Sequence, residues 1–271
     1  TTTQVAAVET EDVAAFTTTQ VRALGTAQVR ALGTEQIEAL TTTQVSSLAT
    51  TQVAALTTTQ VSAIETADIE ALTTTQARAL SSAQVSALTT TQVEALQTED
   101  LAALSTVSVR GLTTDGIQAL KTEQAAALTT NQVSALTTTQ VAAIETEDVA
   151  ALTTSQVRSL GSVQVRALET QQVEALTTEH VGVLTSVQTS ALTTTQVAAI
   201  ETQDIASLGT TQVRALGSAQ VASLTTDQVA AISTTTLSSM ATASVRAITT
   251  DGIQALTTDQ IVSLATSQVA S

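Results

Sequence analysis

Residues 136–144 read Leu-Thr-Thr-Thr-Gln-Val-Ala-Ala-Ile, and this eight-residue phrase recurs without a break from Thr1 to Ser271. Counted from Thr1, the 271 residues form 33 complete octads and one octad of seven residues, with no insertion or deletion. A short internal repeat is a better guide to architecture than chain length. The sequence therefore predicts one continuous octad-repeat array over residues 1–271.

Four positions of the octad carry no charge. Position two is always Thr or Ser, position five is apolar except at Thr189, position seven is Ala or Ser except at Gly111 and Val183, and position eight is always apolar. Every acid and base lies at position one, three, four or six. This division predicts that positions two, five, seven and eight face inward and that the others face solvent.

The spacing of the two strictest apolar positions, five and eight, favours a short helix in each octad. Residues three apart lie on opposite faces of a strand but are neighbours on a helix. One continuous helix is excluded, because eight residues at about 100° each would rotate the apolar stripe by about 80° per octad. The predicted fold is an all-α solenoid or superhelical rod of about 34 short capped helices, one per octad. A narrow β-solenoid is the alternative that the Thr and Val content favours.

Two phasings of the helix within the octad are possible. In the preferred one, Thr or Ser at position two is the N-cap and acids such as Glu11 and Asp12 follow in the first turn, where the helix dipole favours them. Gly at position one, as in Gly25, then forms a left-handed C-terminal cap. The second phasing makes Thr at position one the N-cap and Gln at position four its capping-box partner. The first is preferred because position one also accepts Glu, Gly, Ala, Lys and Gln.

A longer period lies above the octad. Residues 1–16 nearly match 137–152, and residues 108–120 nearly match 244–256, a shift of 136 residues or 17 octads. The array accordingly divides into two cassettes, 1–136 and 137–271. If octads were built as unlike pairs, a shift by an odd number of octads would place the first member of a pair where the second member belongs. The observed shift of 17 octads is odd. We therefore expect every octad to be an equivalent unit, related to the next by one screw operation.

Composition narrows the possible partners. The net charge is −15, with nine Lys and Arg against 24 Asp and Glu, which disfavours nucleic acid and anionic membrane surfaces. No run approaches the roughly 18 uncharged apolar residues that a membrane span needs. The chain has no Cys, which excludes disulfides and thiolate metal sites. Neither end carries an atypical polar repeat, so we expect either that the array continues beyond these residues or that identical chains assemble end to end or laterally.

Two acidic octads place three carboxylates close together near a predicted helix start, where a hard cation such as calcium could bind. These octads lack the loop spacing of an EF-hand, and a solvated acidic face is the competing interpretation. No catalytic or cofactor-binding residue is predicted. The candidate calcium ligands are Glu9, Glu11, Asp12, Glu145, Glu147 and Asp148.

Position four is the most uniform polar position, with Gln in 23 of 34 octads. Equivalent amides at a fixed step could form hydrogen bonds along the array. The only histidine, His180, replaces Gln at this position, so we interpret it as occupying a solvent-facing or interfacial slot. A single His without Cys cannot form a His-based metal site within the chain. All eight Arg lie at position six, where a solvated face is the simplest interpretation.

The phrase Leu-Thr-Thr-x-Gln-Val-x-Ala-Leu resembles the low-complexity octad arrays of very large bacterial exoproteins, described as adhesin-like or haem-utilisation-like. The resemblance covers the whole chain and implies an extracellular or cell-surface location, but it carries no functional residues across. We expect a structural protein without catalysis, the building block of an extracellular filament, stalk or surface assembly. The alternative is a repeat-face binding module, either an adhesin for polysaccharide or another periodic ligand, or an ice-binding protein.

Overall fold

The chain folds into short helices throughout. A computed structural model describes all residues, 1–271, and contains 34 α-helices of four to six residues, one in every octad, and no strand. The predicted all-α repeat solenoid is confirmed, and the narrow β-solenoid is wrong. None of the helices has the length and apolar character needed to cross a membrane. Two compact units, Thr1–Ala143 and Ile144–Ser271, are described separately below.

The first unit contains helices α1 to α18. Their bounds are α1 Thr2–Ala6, α2 Thr10–Ala15, α3 Thr18–Ala23, α4 Thr26–Ala31, α5 Thr34–Glu38, α6 Thr42–Ser47, α7 Thr50–Ala55, α8 Thr58–Ser62, α9 Thr66–Glu70, α10 Thr74–Ala79, α11 Ser82–Ser86, α12 Thr90–Ala95, α13 Thr98–Ala103, α14 Thr106–Val109, α15 Thr114–Gln118, α16 Thr122–Ala127, α17 Thr130–Ala135 and α18 Thr138–Ala142.

The second unit contains helices α19 to α34. Their bounds are α19 Thr146–Ala151, α20 Thr154–Ser159, α21 Ser162–Ala167, α22 Thr170–Glu174, α23 Thr178–Val183, α24 Ser186–Ala191, α25 Thr194–Ala199, α26 Thr202–Ile205, α27 Thr210–Ala215, α28 Ser218–Ala222, α29 Thr226–Ala231, α30 Thr234–Ser239, α31 Thr242–Val245, α32 Thr250–Ala255, α33 Thr258–Ser263 and α34 Thr266–Val269.

Each helix begins at position two, so the N-cap is position one. In α3 the Oγ1 atom of Thr17 accepts the backbone N–H of Gln20 at 3.3 Å, and Gln20 Oε1 accepts the backbone N–H of Thr17 at 2.8 Å. These two bonds are a capping box. The prediction that position two is the N-cap is wrong, and the second phasing is correct. Gln at position four decides between the two adjacent Thr, because its side chain reaches back three residues to the N–H of position one.

Gly at position one is also an N-cap. Gly25 has φ −70° and ψ 157°, and no residue of the chain has a positive φ. The prediction of left-handed Gly caps is therefore wrong. The preceding position-eight residue, Leu24, already has an extended backbone with φ −63° and ψ 128°. Two extended residues lead from one helix into the next, so no left-handed residue is required.

Helices pack against the third helix along the chain. In the first unit α1 contacts α4, α4 contacts α7 and α7 contacts α10, and in the second unit α21 contacts α24, α24 contacts α27 and α27 contacts α30. The same step recurs through each unit, in agreement with equivalent octads. This arrangement stacks successive turns of the solenoid on one another.

The core contains positions five and eight, as expected, but position four lies inside with them. Val61 and Leu101 at position five are 0% exposed, and most position-eight side chains are buried. Position two, as at Thr58, is exposed, so its predicted inward orientation is wrong, as is the predicted solvent exposure of position four. Positions four and five are consecutive residues on the helix face that is covered by neighbouring turns, whereas position two lies at the exposed start of the helix.

Candidate functional site

The position-four side chains lie between successive turns of the solenoid and are here called the ladder. Gln132 is 1% exposed, and its Oε1 atom accepts the backbone N–H of Thr129 at 2.8 Å. Its Nε2 atom donates to the carbonyl oxygens of Leu101 at 2.8 Å and Leu104 at 2.9 Å. One amide therefore caps its own helix and binds the preceding turn.

The same paired donation recurs through both units, at distances of 2.6 to 3.2 Å, to the carbonyls 31 and 28 residues earlier. One turn of the solenoid accordingly contains between three and four octads. The glutamines that make both bonds include Gln36, Gln44, Gln52, Gln60, Gln76, Gln84, Gln92, Gln124, Gln132, Gln140, Gln188, Gln196, Gln220, Gln228, Gln260 and Gln268.

Hydroxyl side chains at position four donate in the same direction. The Oγ atom of Ser108 donates to the carbonyl 28 residues earlier, that of Leu80, at 2.7 Å. Thr236 and Ser244 donate to the corresponding carbonyls at 3.3 and 3.4 Å. The ladder is thus a set of donors that face main-chain acceptors, whatever residue supplies the donor.

His180 is a buried member of the ladder, 3% exposed, in the interface between turns. Its Nδ1 atom accepts the backbone N–H of Thr177 at 3.3 Å, and its Nε2 atom lies 2.6 Å from the carbonyl oxygen of Leu152. An acceptor at Nδ1 and a donor at Nε2 correspond to one neutral tautomer of imidazole. His180 therefore reproduces the two functions of Gln at this position.

The sequence carries the same phrase as a known repeat family. A family model described as the ALTTAQ repeat matches residues 5–42, 61–98, 93–130, 141–178, 197–234 and 229–266, which together cover more than half of the chain. The chain belongs to the ALTTAQ repeat family. No curated protein matches the chain. In this ALTTAQ repeat chain, residues 71–76 read Ala-Leu-Thr-Thr-Thr-Gln, which includes the position-one N-cap and the position-four ladder residue.

Five ladder positions of the ALTTAQ repeat chain carry Asp instead of Gln. Asp12 is exposed because octad two lies in the first turn, which has no preceding turn to cover it. The other four, Asp68, Asp100, Asp148 and Asp204, are only 2 to 3% exposed. Sequence analysis did not predict this burial, although the strong preference for Gln at position four was a signal that this position is constrained.

The buried carboxyls differ in their surroundings. Burial raises the pKa of Asp68, an effect that a hydrogen bond from the Thr42 hydroxyl partly offsets. Burial, together with the charge of Glu99, raises the pKa of Asp100 to about 6. The Oδ2 atom of Asp68 has no hydrogen-bond partner. The Thr178 hydroxyl donates to Oδ1 of Asp204.

The six candidate calcium ligands do not converge. Glu9, Glu11 and Asp12 are exposed, whereas in the second acidic octad Glu145 and Glu147 are exposed and Asp148 is buried. No group of three or more acidic or His side chains in the ALTTAQ repeat chain is arranged to hold a metal ion. A backbone hydrogen bond, followed by one from the Thr10 hydroxyl, lowers the pKa of Glu11. Both are local interactions of a helix start.

The outer surface carries the remaining charge. All eight Arg at position six are exposed. An open surface groove of the first unit is lined by Glu70, Glu94, Lys121 and Glu123 together with Thr, Gln and Ala side chains. This groove is lined by no His.

Proposed function

We propose that this chain is a non-catalytic structural protein, the building block of an extracellular filament, stalk or surface assembly. Identical chains associate end to end or laterally. The observation that supports the proposal is the repetition of one contact along the array: each ladder side chain joins its turn to the preceding turn, as Gln132 does through the carbonyls of Leu101 and Leu104, so the contact that stacks turns within a unit can also join copies.

The first turn exposes the donor half of the ladder. Gln4 and Gln20 are exposed and Gln28 is half-buried, although every ladder Gln from Gln36 onward is buried. The Oε1 atoms of these three side chains accept their own N-cap N–H groups at 2.8 to 2.9 Å. Their Nε2 atoms make no hydrogen bond within the chain, so each can donate to another copy.

The last turn exposes the acceptor half. Ile253, Ile261 and Val269 at position five are 41%, 45% and 68% exposed, whereas position five is buried in every earlier octad. The position-eight carbonyls of Leu256 and Leu264 lie where a following turn would supply a Gln donor. Covering exposed apolar side chains stabilises association by about 25 cal/mol per Å² of apolar area.

Register fixes how two copies meet. If the first octad of a second copy takes the place of the octad after α34, its Gln4 faces the carbonyls of Val245 and Ile248. Its Gln20 faces those of Ile261 and Leu264. The interface then repeats the contacts that join successive turns within each unit. The contact is heterologous, so copies add in one direction to form a filament.

The test uses two variants that each damage one end. Gln20→Glu replaces an exposed donor at the first turn with a carboxylate, and Ile261→Asp places a charge in the exposed apolar patch of the last turn. Sedimentation velocity and electron microscopy of the wild type should show filaments that lengthen with concentration. Each variant alone should remain monomeric, while an equimolar mixture should form dimers through its two intact ends.

A matched control separates end-to-end from lateral association. Val163 is 67% exposed but lies far from both terminal turns, so Val163→Asp should assemble like the wild type. A wild type that stays monomeric at all concentrations would overturn the proposal. Filaments that persist in both end variants would contradict end-to-end association, because they would indicate lateral association.

The extracellular location is part of the same proposal. The resemblance to octad arrays of bacterial exoproteins and the net charge of −15 support it, since strong negative charge favours solubility of a long repetitive surface. Antibody detection in the source cells should place the chain in the medium or at the cell surface. Assembly should be unchanged by a calcium chelator, and a chelator-sensitive filament would instead support the calcium site.

A repeat-face binding module is the second candidate. Position two carries Thr or Ser in every octad, and in most octads this hydroxyl lies on the outside, which favours a periodic polar ligand such as a polysaccharide. Position three, by contrast, varies among Thr, Ala, Val, Ser, Asn, Gln and acids. Co-sedimentation with insoluble polysaccharide, with and without Thr→Ala changes at position two, distinguishes this function from filament formation.

A further inference from the structure

We propose that Asp68 and Asp100 are proton-binding sites of the ladder. In the protonated state, each carboxyl donates to the position-eight carbonyl of the preceding turn and joins the two turns. In the ionised state, it leaves that carbonyl without a donor. The contact between turns at these two octads is therefore stronger at acidic pH, where the carboxyls are protonated. The inference concerns contacts within one chain and does not rest on the proposed filament.

The geometry of the other ladder residues shows that the slot requires a donor. Gln132 donates through an amide, Ser108 through a hydroxyl and His180 through an imidazole N–H. Ser is shorter than Asp, yet Ser108 reaches the carbonyl 28 residues earlier at 2.7 Å. An Asp side chain is therefore long enough for the same contact. An ionised carboxylate has only acceptors, whereas a protonated carboxyl has one O–H donor.

Burial makes the ionised state costly at both positions. Asp68 and Asp100 are each 2% exposed, and the Oδ2 atom of Asp68 has no hydrogen-bond partner. The acceptors that correspond to the ladder pattern are the carbonyls of Leu40 for Asp68 and of Leu72 for Asp100. A buried charge needs hydrogen-bond donors, and carbonyl oxygens supply none. The Thr42 hydroxyl donates to Asp68 and offsets part of the effect of burial, but Oδ2 has no donor. Protonation removes the charge and supplies the missing donor.

Charged neighbours do little to stabilise the ionised state, because most of them are acids. Asp68 lies on α9, which packs against α6 and α12, and it faces the octad of residues 33–40. The charged groups on these elements and in its own octad are Glu35, Glu38, Glu65, Glu70 and Glu94. For Asp100, the corresponding groups are Glu65, Asp68, Glu70, Arg78, Glu99, Lys121 and Glu123. The two cations in this set are exposed at the surface.

The direction of the pH effect follows from these environments. Burial raises the pKa of Asp68, and burial together with Glu99 raises that of Asp100 from 3.8 to about 6. A carboxyl with a raised pKa in the folded chain contributes fully to stability below its unfolded pKa. That contribution is lost as the pH rises through the folded pKa. The first unit should therefore lose stability between about pH 4 and pH 6, by about 100-fold in the unfolding equilibrium constant for Asp100.

The test is a carboxyl-resolved ¹³C NMR titration of the full chain, with unfolding by urea measured at pH 4.5 and 7.5. The variants Asp68→Gln and Asp100→Gln assign the two carboxyl resonances, because each variant lacks one of them. Both variants should fold, because Gln is the usual ladder residue. In Asp100→Gln, the amide should donate to the carbonyls of Ile69 and Leu72. This variant should be more stable than wild type at pH 7.5, and its stability should depend less on pH.

Asp115→Gln is the matched control, because Asp115 is an exposed acid at position three of the same unit. It should leave the pH dependence of wild type unchanged. Titration of Asp100 at or below 3.8, or an equal pH dependence in Asp100→Gln, would overturn the proposal. A change of the Asp100 resonance on adding sodium, potassium or calcium at constant pH would also overturn it, in favour of a bound cation.

Discussion

The ladder amide is the interaction whose contribution to stability can be measured most directly. We expect Gln132→Met to lower the free energy of unfolding, because Met keeps the length and volume of the side chain but removes its donor and its strong acceptor. The bonds lost are those from Nε2 to the carbonyls of Leu101 and Leu104, a longer one to the carbonyl of Ala102 at 3.4 Å, and those that Oε1 accepts from the N–H and the hydroxyl of Thr129. The bonds to Leu101 and Leu104 lie in the buried interface between turns.

The expected loss follows from this count. A typical intramolecular hydrogen bond contributes about 0.5 to 1.5 kcal/mol net, so the three shortest bonds, to Leu101, Leu104 and the N–H of Thr129, correspond to about 3 kcal/mol. Gln20→Met is the matched control, because Gln20 is exposed in the first turn and makes the capping bonds without the bonds to a preceding turn. Its loss should be about 1 kcal/mol. The difference of about 2 kcal/mol isolates the contact between turns.

Urea unfolding followed by far-UV circular dichroism measures both losses, and amide hydrogen exchange at Thr129 gives a local reading at the altered octad. Exchange at Thr129 should accelerate in Gln132→Met, since its N–H loses the Oε1 acceptor. Equal losses in the two variants would contradict a stabilising bond between turns. They would mean that the glutamines stabilise the chain only as caps and that apolar packing alone holds the turns together.

Three further substitutions test packing and ladder chemistry. Gly111→Ala should destabilise the first unit, since an added Cβ would lie 2.2 Å from the backbone carbonyl oxygen of Ser82. In a thermal melt, the variant should lose its helical circular dichroism signal at a lower temperature than wild type. Leu101→Ala removes a fully buried side chain and should cost about 2 to 5 kcal/mol in urea unfolding, whereas Val262→Ala, at a site 79% exposed, should cost almost nothing. His180→Gln should leave the melting temperature unchanged or raise it, because the amide can add a second donated bond; a clear loss would contradict the ladder role of this residue.

Much of the fold was predictable because it depends on neighbours within one octad. The three-residue spacing of apolar positions five and eight predicted a helix, and the phase drift of a continuous helix predicted a break in every octad. The N-cap was predicted one residue too late. Adjacent Thr at positions one and two, as in Thr17 and Thr18, are both good caps, and only the bond from Gln20 to the N–H of Thr17 distinguishes them.

The candidate site was harder to predict, because the residues that form it are far apart in the chain. Gln, Ser, His and Asp at position four all read as polar and surface-exposed when each octad is considered alone. Asp12 and Asp148 occupy equivalent positions in similar octads, yet Asp12 is exposed and Asp148 is 3% exposed. The difference arises because octad two has no preceding turn to cover it.

The residue pattern alone predicts the octad, the single short helix in each octad and the apolar character of positions five and eight. These features depend on capping and side-chain contacts within about four residues. The length of the turn, the burial of position four and the environment of Asp68 and Asp100 depend instead on tertiary contacts. Each of these requires the chain to return after 28 to 31 residues and present its carbonyls to a side chain, as Leu101 and Leu104 do to Gln132.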